Sequence, residues 1–214
     1  LFPGWPVGAE AGIADGRSGW QPWIVRDGAP SSSKAFAETF FRNMAFPQPD
    51  PEYDLRKFDF DKDVPRLEWI HTVLDATDTD LSRFRDRGGR LLMYYGWADQ
   101  ALNAQRAVEY YEDVVRRLGR STRDFFRLFM VPGMAHCGRG VGTSNFDTLT
   151  PLIEWVERGV APDRIPATRE VGGKVVRTRP LCPYPETARY KGSGSIDDAA
   201  NFVCRLPSGS VVSR

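Results

Sequence analysis

Residues 90–158 alternate two short apolar runs with two segments of helical pattern, and this rhythm constrains the fold more than any other feature. The runs RLLMYY (90–95) and FFRLFMV (125–131) are almost continuously apolar, as is typical of strands buried on both faces. A helical pattern follows each run, over residues 103–118 and 146–158, and a glycine ends each pattern. The order strand, helix, strand, helix predicts part of a parallel α/β sheet.

The loops after the two predicted strands carry residues of catalytic type. In open α/β sheets the active site lies beyond the carboxyl ends of the strands. GWADQ follows the first strand and offers Asp99, and PGMAHCGRG follows the second and offers His136. A serine hydrolase needs an imidazole base and a carboxylate that orients it, in the chain order nucleophile, acid, histidine for α/β-hydrolases. Asp99 and His136 fit the last two places.

The nucleophile is harder to find than the base. The chain has two histidines, and we expect a structural role for His71 because it lies in the helical segment LEWIHTVL. No GxSxG motif occurs. None of the serines before Asp99 follows a strand pattern; they are Ser18, Ser31, Ser32, Ser33 and Ser82. The residues alone therefore predict an acid and a base without their nucleophile.

The part of the chain before the first strand has a different character. Its first 31 residues are rich in glycine, proline and tryptophan, and helical patterns are predicted over 33–44, capped by a serine of 31–33, and over 64–74. The acidic segment DATDTD (75–80) could bind a cation. The favoured interpretation is a helix N-cap at Asp78 or Thr79.

The three cysteines leave two interpretations open. Cys137, Cys182 and Cys204 show no metal-binding spacing, so no metal site is predicted. All three could be reduced thiols. Alternatively, Cys182 and Cys204 form a bridge that staples the proline-rich tail, and Cys137 is left over.

Composition argues against two classes of partner. The net charge is +1 and no basic run is present, so nucleic acid is not an expected partner. No apolar stretch reaches the roughly 18 residues that cross a bilayer, so no membrane partner is expected. The opening residues LFPGWPVGAEAG lack a signal-peptide pattern and look like the middle of a loop, so we expect this chain to be part of a longer polypeptide.

Two motifs together resemble the tannase and feruloyl esterase family of α/β-hydrolases. They are LDATDTDLSRFRDRGGRLLMYYGWADQ (74–100) and PGMAHCGRG (132–140). The resemblance implies an α/β fold in which residues 79–214 are the C-terminal half of an α/β-hydrolase and residues 1–78 the closing part of an inserted lid domain. It also implies that Asp99 is the acid and His136 the base of a Ser-Asp-His triad.

Further implications of the resemblance concern the rest of the site. Cys137 would be bonded to a cysteine that directly precedes the serine, and both would lie outside this chain. No cofactor is implied, although the family's lid can hold calcium, for which no site is recognisable here. Tyr95 stands where many members have histidine, which is not a triad position.

The function expected from this resemblance is a secreted or periplasmic carboxylic ester hydrolase. Its partners would be a small aromatic ester and the upstream half of the same enzyme. Four aromatic residues could line the pocket, with core packing as the alternative for each: Trp5, Trp20, Phe40 and Phe41. The rival hypothesis is a non-catalytic fragment with a structural or aromatic-ligand-binding role, because a chain without a nucleophile cannot run this chemistry alone.

Overall fold

The computed structural model describes residues 3–10, 19–136 and 138–207, which fall into two units. The helical unit is Trp20–Asp78, and the sheet unit contains the other described residues. The chain thus divides after Asp78, while residues before Trp20 group with the sheet unit. The assignment of residues 1–78 to a lid stays a prediction.

The helical unit contains three helices: α1 (Trp20–Trp23), α2 (Ser32–Asn43) and α3 (Glu68–Leu74). The side chain of Ser31 caps α2 by accepting a hydrogen bond from the Lys34 amide at 3.3 Å, as expected of a serine at an N-cap. The second predicted helix is interrupted. Residues Val64–Leu67 form a 3₁₀ helix that has a proline near its start, and only the part from Glu68 is α-helical.

Aromatic side chains supply the packing of the helical unit. The ring of Phe41 stacks on Tyr53 at 5.3 Å between centroids and meets Phe58 edge-on at 5.1 Å. Phe46, which is buried, lies 6.1 Å from the same ring. Phe41 is therefore the centre of an aromatic cluster within this unit.

The sheet unit begins with α4 (Ser82–Asp86), β1 (Leu91–Gly96), α5 (Ala104–Leu118) and β2 (Phe126–Val131). The residue that bonds the start of α4 is Asp80, which accepts a hydrogen bond from the Ser82 amide at 3.1 Å. The prediction of a cap at Asp78 or Thr79 was therefore wrong. Asp80 also pairs with Arg117 of α5, and these bonds lower its pKa to about 2.

The two central strands pair in parallel, in a register that runs from Leu91 opposite Phe126 to Gly96 opposite Val131. The buried face of α5 packs on β2 and forms the core; its contributions include Ala104, Val108, Tyr111, Val114, Phe126 and Leu128. Asn103 caps α5 by accepting a hydrogen bond from the Gln105 amide at 2.8 Å.

The remaining strands of the sheet unit form antiparallel ribbons, and one further α-helix lies between them in the chain. In chain order they are β3 (Met134–Ala135), β4 (Gly138–Gly140), β5 (Asn145–Phe146), α6 (Leu149–Arg158), β6 (Ile165–Val171), β7 (Lys174–Leu181), β8 (Thr187–Tyr190) and β9 (Phe202–Arg205). The ribbons pair as β3–β4, β5–β6–β7 and β8–β9. The helix predicted from residue 146 begins at Leu149, because Phe146 belongs to β5.

A disulfide connects the end of β7 to β9. Cys182 and Cys204 are bonded with 5.5 Å between their Cα atoms, which confirms the bridged interpretation for these two cysteines. The segment that follows Cys182 covers the outer edge of β2, where the Tyr184 amide donates to the Leu128 carbonyl at 2.7 Å. The bridge therefore holds the chain that closes this edge of the sheet. No helix in the described residues is both long and apolar enough to span a bilayer.

Candidate active site

The ends of β1 and β2 bring two loops to one edge of the sheet: residues 97–102, called the acid loop because it carries the predicted acid, and residues 132–136, called the base loop because it carries the predicted base. Because the strands are parallel, the chain leaves Gly96 and Val131 at the same edge. The Trp97 amide donates to the Val131 carbonyl and the Ala98 amide to the Met134 carbonyl, each at 3.0 Å. A Cβ atom on Gly96 would lie 2.3 Å from the Met134 oxygen, so only glycine allows this approach.

The two loops place the predicted acid against the predicted base. His136 Nδ1 lies 3.0 Å from Asp99 Oδ2, although 37 positions separate the residues in the chain. This distance is that of an ordinary hydrogen bond between a ring nitrogen and a carboxylate oxygen. The juxtaposition follows from the α5 crossover, which puts β1 beside β2.

The carboxylate of Asp99 is held on both of its oxygens. Oδ2 faces His136, while Oδ1 accepts hydrogen bonds from the amides of Ala101 at 2.8 Å and Leu102 at 2.9 Å. The Asp99 side chain is 6% exposed. Burial and three hydrogen bonds therefore fix the position of this group before any ligand arrives.

The imidazole of His136 is oriented but accessible. A carboxylate accepts hydrogen bonds, so we assign the proton to Nδ1, which leaves Nε2 as the proton-accepting ring atom. The His136 side chain is 32% exposed. The backbone amide of His136 donates to Gln100 Oε1 at 3.3 Å. Such a group can take a proton from a hydroxyl and later return it.

The sequence prediction missed Gln100 and the two amides of Ala101 and Leu102. The only signal for Gln100 was its place in GWADQ, directly after the predicted acid. Its side chain is polar and buried, with 3% of the residue exposed. The amide donors cannot be read from residue type, because every residue except proline carries one.

The other predicted site residues lie in several places. Trp5 is partly buried and follows Gly4, whose carbonyl accepts a hydrogen bond from the Asn103 side chain, four positions beyond Asp99. Trp20, Phe40 and Phe41 belong to the helical unit, where Phe40 and Phe41 meet edge-on at 5.4 Å. Cys137 lies outside the described residues. The ligand-binding role of the four aromatic residues remains a prediction.

His71 also has a carboxylate partner. Its Nδ1 contacts Asp75 Oδ2 on the C-terminal turn of α3, where both side chains are exposed. Among the residues that the structure describes, no group of three or more His, Cys, Asp or Glu side chains is placed to hold a metal ion.

A cavity of about 840 Å³ lies between α5 and residues 180–188, and neither Asp99 nor His136 lines it. Its walls include Trp97, Tyr111 and Tyr184. Burial and a 2.6 Å hydrogen bond to Glu112 raise the pKa of Tyr184, so this hydroxyl stays protonated. The cavity is thus separate from Asp99 and His136.

Comparisons with known proteins relate this geometry to a family. The model of the family described as tannase and feruloyl esterase matches residues 1–205. Mono(2-hydroxyethyl) terephthalate hydrolase of Piscinibacter sakaiensis is 42% identical over 88% of this chain and 35% of its own length. A probable feruloyl esterase of Arthroderma benhamiae is 33% identical, with 96% of this chain and 38% of that protein covered.

A solved structure of a feruloyl esterase has a similar fold. The crystal structure of feruloyl esterase B from Aspergillus oryzae superposes with a TM-score of 0.72 and 27% identity, over 87% of this chain and 39% of that one. This chain therefore spans less than two fifths of the length of these relatives. The predicted α/β fold of hydrolase type is confirmed, as is the predicted family. The chain belongs to the tannase and feruloyl esterase family.

Proposed function

We propose that this chain supplies the acid and the base of a serine carboxylic ester hydrolase. Asp99 is the acid, His136 is the base, and the nucleophilic serine lies in sequence outside these 214 residues. The observation that carries the proposal is the buried Asp99 carboxylate, anchored by two amides on Oδ1 and facing His136 Nδ1 at 3.0 Å on Oδ2. This is the arrangement that a triad needs to orient its imidazole.

The proposed reaction is acyl transfer through a covalent acyl-enzyme. His136 Nε2 removes the proton of the serine hydroxyl as the serine oxygen attacks the ester carbonyl carbon. The protonated ring then gives that proton to the departing alcohol oxygen as the ester C–O bond breaks. Water attacks the acyl-enzyme in the second half, with His136 again as base and then acid. Asp99 keeps Nδ1 protonated and stabilises the imidazolium in both halves.

Two observations support a nucleophile outside this chain. The described serines that precede Asp99 lie in or beside helices; they are the α2 cap Ser31, then Ser32 and Ser33 in α2, and Ser82 in α4. None follows a strand, whereas the elbow serine of an α/β-hydrolase does. The relatives are also more than twice as long as this chain, which leaves room for a nucleophile-bearing half.

We propose an ester of an aromatic acid as the substrate. The names of the relatives support this class, because a terephthalate hydrolase and feruloyl esterases are named for esters of aromatic acids. Trp5 is the best-supported pocket residue of the four predicted, because the neighbouring Gly4 is bonded to Asn103 near the acid loop. The packing of Phe41 among Tyr53 and Phe58 favours a core role for that ring.

We further propose that residues 1–78 close a lid domain, and that the enzyme works outside the cytoplasm. The Cys182–Cys204 bridge supports an oxidising compartment such as the periplasm or the exterior of the cell. Cys137, next to the base, is proposed to bond a cysteine beside the serine. That bond would hold the base loop against the nucleophile.

A labelling experiment tests the location of the nucleophile. A fluorophosphonate reacts covalently with activated serines, so the full-length polypeptide should be labelled on one serine outside residues 1–214. The isolated 214-residue chain should remain unlabelled and should not hydrolyse aryl esters above background. An adduct on a serine within these residues would contradict the proposal. Peptide mapping without reduction should find Cys137 joined to a peptide from outside this chain.

A further inference from the structure

We infer that Gln100 is a positioning residue for His136, acting through the backbone of the base rather than on its ring. This inference rests on the proposed function for its catalytic consequence. Its structural basis is the hydrogen bond that the His136 amide donates to Gln100 Oε1 at 3.3 Å. Gln100 is 3% exposed, so the protein buries a long polar side chain at this place.

The contact is the last of a series that joins the acid loop to the base loop. The first two are the backbone bonds from Trp97 to Val131 and from Ala98 to Met134, each 3.0 Å long. These hold the loops only as far as Met134, two residues before the base. The Gln100 side chain extends the connection to His136 itself. It is the contact in this series that a substitution can remove while the backbone ladder stays intact.

The contact also constrains the ring of His136. Two points hold this residue to the acid loop: its amide on Gln100 Oε1 and its Nδ1 on Asp99 Oδ2. With both present, the Cα–Cβ bond of His136 has little freedom to pivot, so Nε2 points in one direction. Without the Gln100 contact, the backbone at His136 can drift while the ring stays bonded to Asp99, and the direction of Nε2 changes. A displacement of about 1 Å in a catalytic group can cost on the order of a hundredfold in rate.

Burial explains why glutamine suits this position. The bond from the His136 amide to Gln100 is partly buried, and an N–H group that is withdrawn from water without an acceptor is destabilising. The neighbouring carbonyl groups of the acid loop are engaged in part by the turn itself, where the Asp99 amide donates to Gly96 at 3.2 Å. Glutamine brings a neutral acceptor beside the Asp99 carboxylate, whereas glutamate would bring a second acidic group.

The test compares two substitutions of similar size. Gln100→Met removes the acceptor and keeps the length, while Gln100→Glu keeps an oxygen at the same reach. In the full-length polypeptide we expect hydrogen exchange at the His136 amide to accelerate about tenfold or more in Gln100→Met. In Gln100→Glu the exchange rate should stay within about threefold of wild type. Gln105→Met on α5 is the control, because the hydrogen bonds that hold Asp99 and His136 do not involve the Gln105 side chain.

Kinetics of the full-length polypeptide give the second measurement. We expect Gln100→Met to lower kcat for an aryl ester about tenfold with KM unchanged within twofold, because a misdirected base slows chemistry and not binding. Gln105→Met should leave both constants unchanged. Accelerated exchange only at amides distant from His136, or equal loss in Gln100→Met and Gln105→Met, would overturn the positioning role.

The two proposals can fail separately. If His136→Ala leaves the esterase activity intact, the proposed function is wrong, and the amide exchange still decides whether Gln100 holds His136. If His136→Ala abolishes activity while Gln100→Met changes neither exchange at His136 nor kcat, the function stands and the positioning role is wrong.

Discussion

The chain contains two histidine–aspartate pairs that are built in opposite ways. The helix pair, His71 with Asp75, is four residues apart on α3, and its side chains are 57% and 40% exposed. The loop pair, His136 with Asp99, is 37 residues apart and depends on two strands meeting in parallel. Both pairs join Nδ1 to a carboxylate Oδ2. The contact between a ring and a carboxylate is therefore not what distinguishes them.

The difference lies in what else holds the carboxylate. Asp99 is buried and bonded by two further amides, so its position is set by the fold. Asp75 is exposed at the end of α3, where water competes for the same oxygens. A fixed carboxylate can orient a base through a reaction, whereas a solvated one adds little beyond local helix stability.

Removing the base should produce the largest effect. In the full-length polypeptide, His136→Ala should lower kcat for an aryl ester by about 10⁴-fold or more, because the serine loses its proton acceptor. The matched variant His71→Ala should change kcat by less than twofold. Steady-state kinetics on both variants measure the contrast, and comparable losses in the two would erase the distinction between the pairs.

Neutralising the acid should have the next largest effect. In Asp99→Asn the carboxamide oxygen can still accept from the two amides, but its NH₂ group faces His136 Nδ1 and favours the wrong ring tautomer. We expect kcat to fall by about 10³- to 10⁴-fold with near-native circular dichroism. Asp75→Asn serves as the control and should stay within twofold. Full activity in Asp99→Asn would remove the acid role.

Breaking the disulfide should destabilise the sheet unit, which carries the loop pair, and should leave α3, which carries the helix pair, little changed. The combined substitutions Cys182→Ser and Cys204→Ser free the segment that covers β2, and so weaken the sheet that carries the loop pair. The chain-entropy model gives a loss of about 3 kcal/mol for a closed loop of about 20 residues. Urea unfolding should show this loss in the sheet unit, while α3 changes little. An unchanged midpoint would show that the bridge contributes nothing measurable.

The helix pair should give the smallest effect. A double-mutant cycle with His71→Ala and Asp75→Ala should yield a coupling of at most about 1 kcal/mol, because both groups are exposed. Added salt should reduce this coupling. Denaturant unfolding at two ionic strengths measures it. A coupling well above this limit would mean that the helix pair is held by more than its exposed contact.

The central elements of the sheet unit could be predicted from the sequence. The apolar runs predicted strands at 90–95 and 125–131, and the structure has Leu91–Gly96 and Phe126–Val131. The helix predicted over 103–118 spans Ala104–Leu118. These predictions hold to within one residue because the burial of a strand or a helix face is recorded in local apolar periodicity.

The cap of α4 shows where local pattern stops being sufficient. Several polar residues precede this helix within a few positions, and each is a chemically adequate cap. The N-cap position is occupied by Leu81, which makes no side-chain cap, while the preceding Asp80 accepts from the Ser82 amide and pairs with Arg117, 37 positions away on α5. Neither the apolar N-cap nor the pairing with a residue on α5 could be read from the polar residue types at the helix start.

The sequence by itself determined the chemical content of the candidate site. The types and chain order of Asp99 and His136, each after an apolar strand, follow from one-dimensional pattern and from the resemblance of two motifs. Only the tertiary structure decided how these residues are arranged in space. Parallel pairing of β1 and β2 set the 3.0 Å contact, burial added two amides to Asp99, and close approach at Gly96 brought Gln100 to the His136 amide. Hydrogen bonds to backbone amides and contacts across 37 residues leave little mark on local sequence, because they arise from the path of the chain rather than from the residues that it carries.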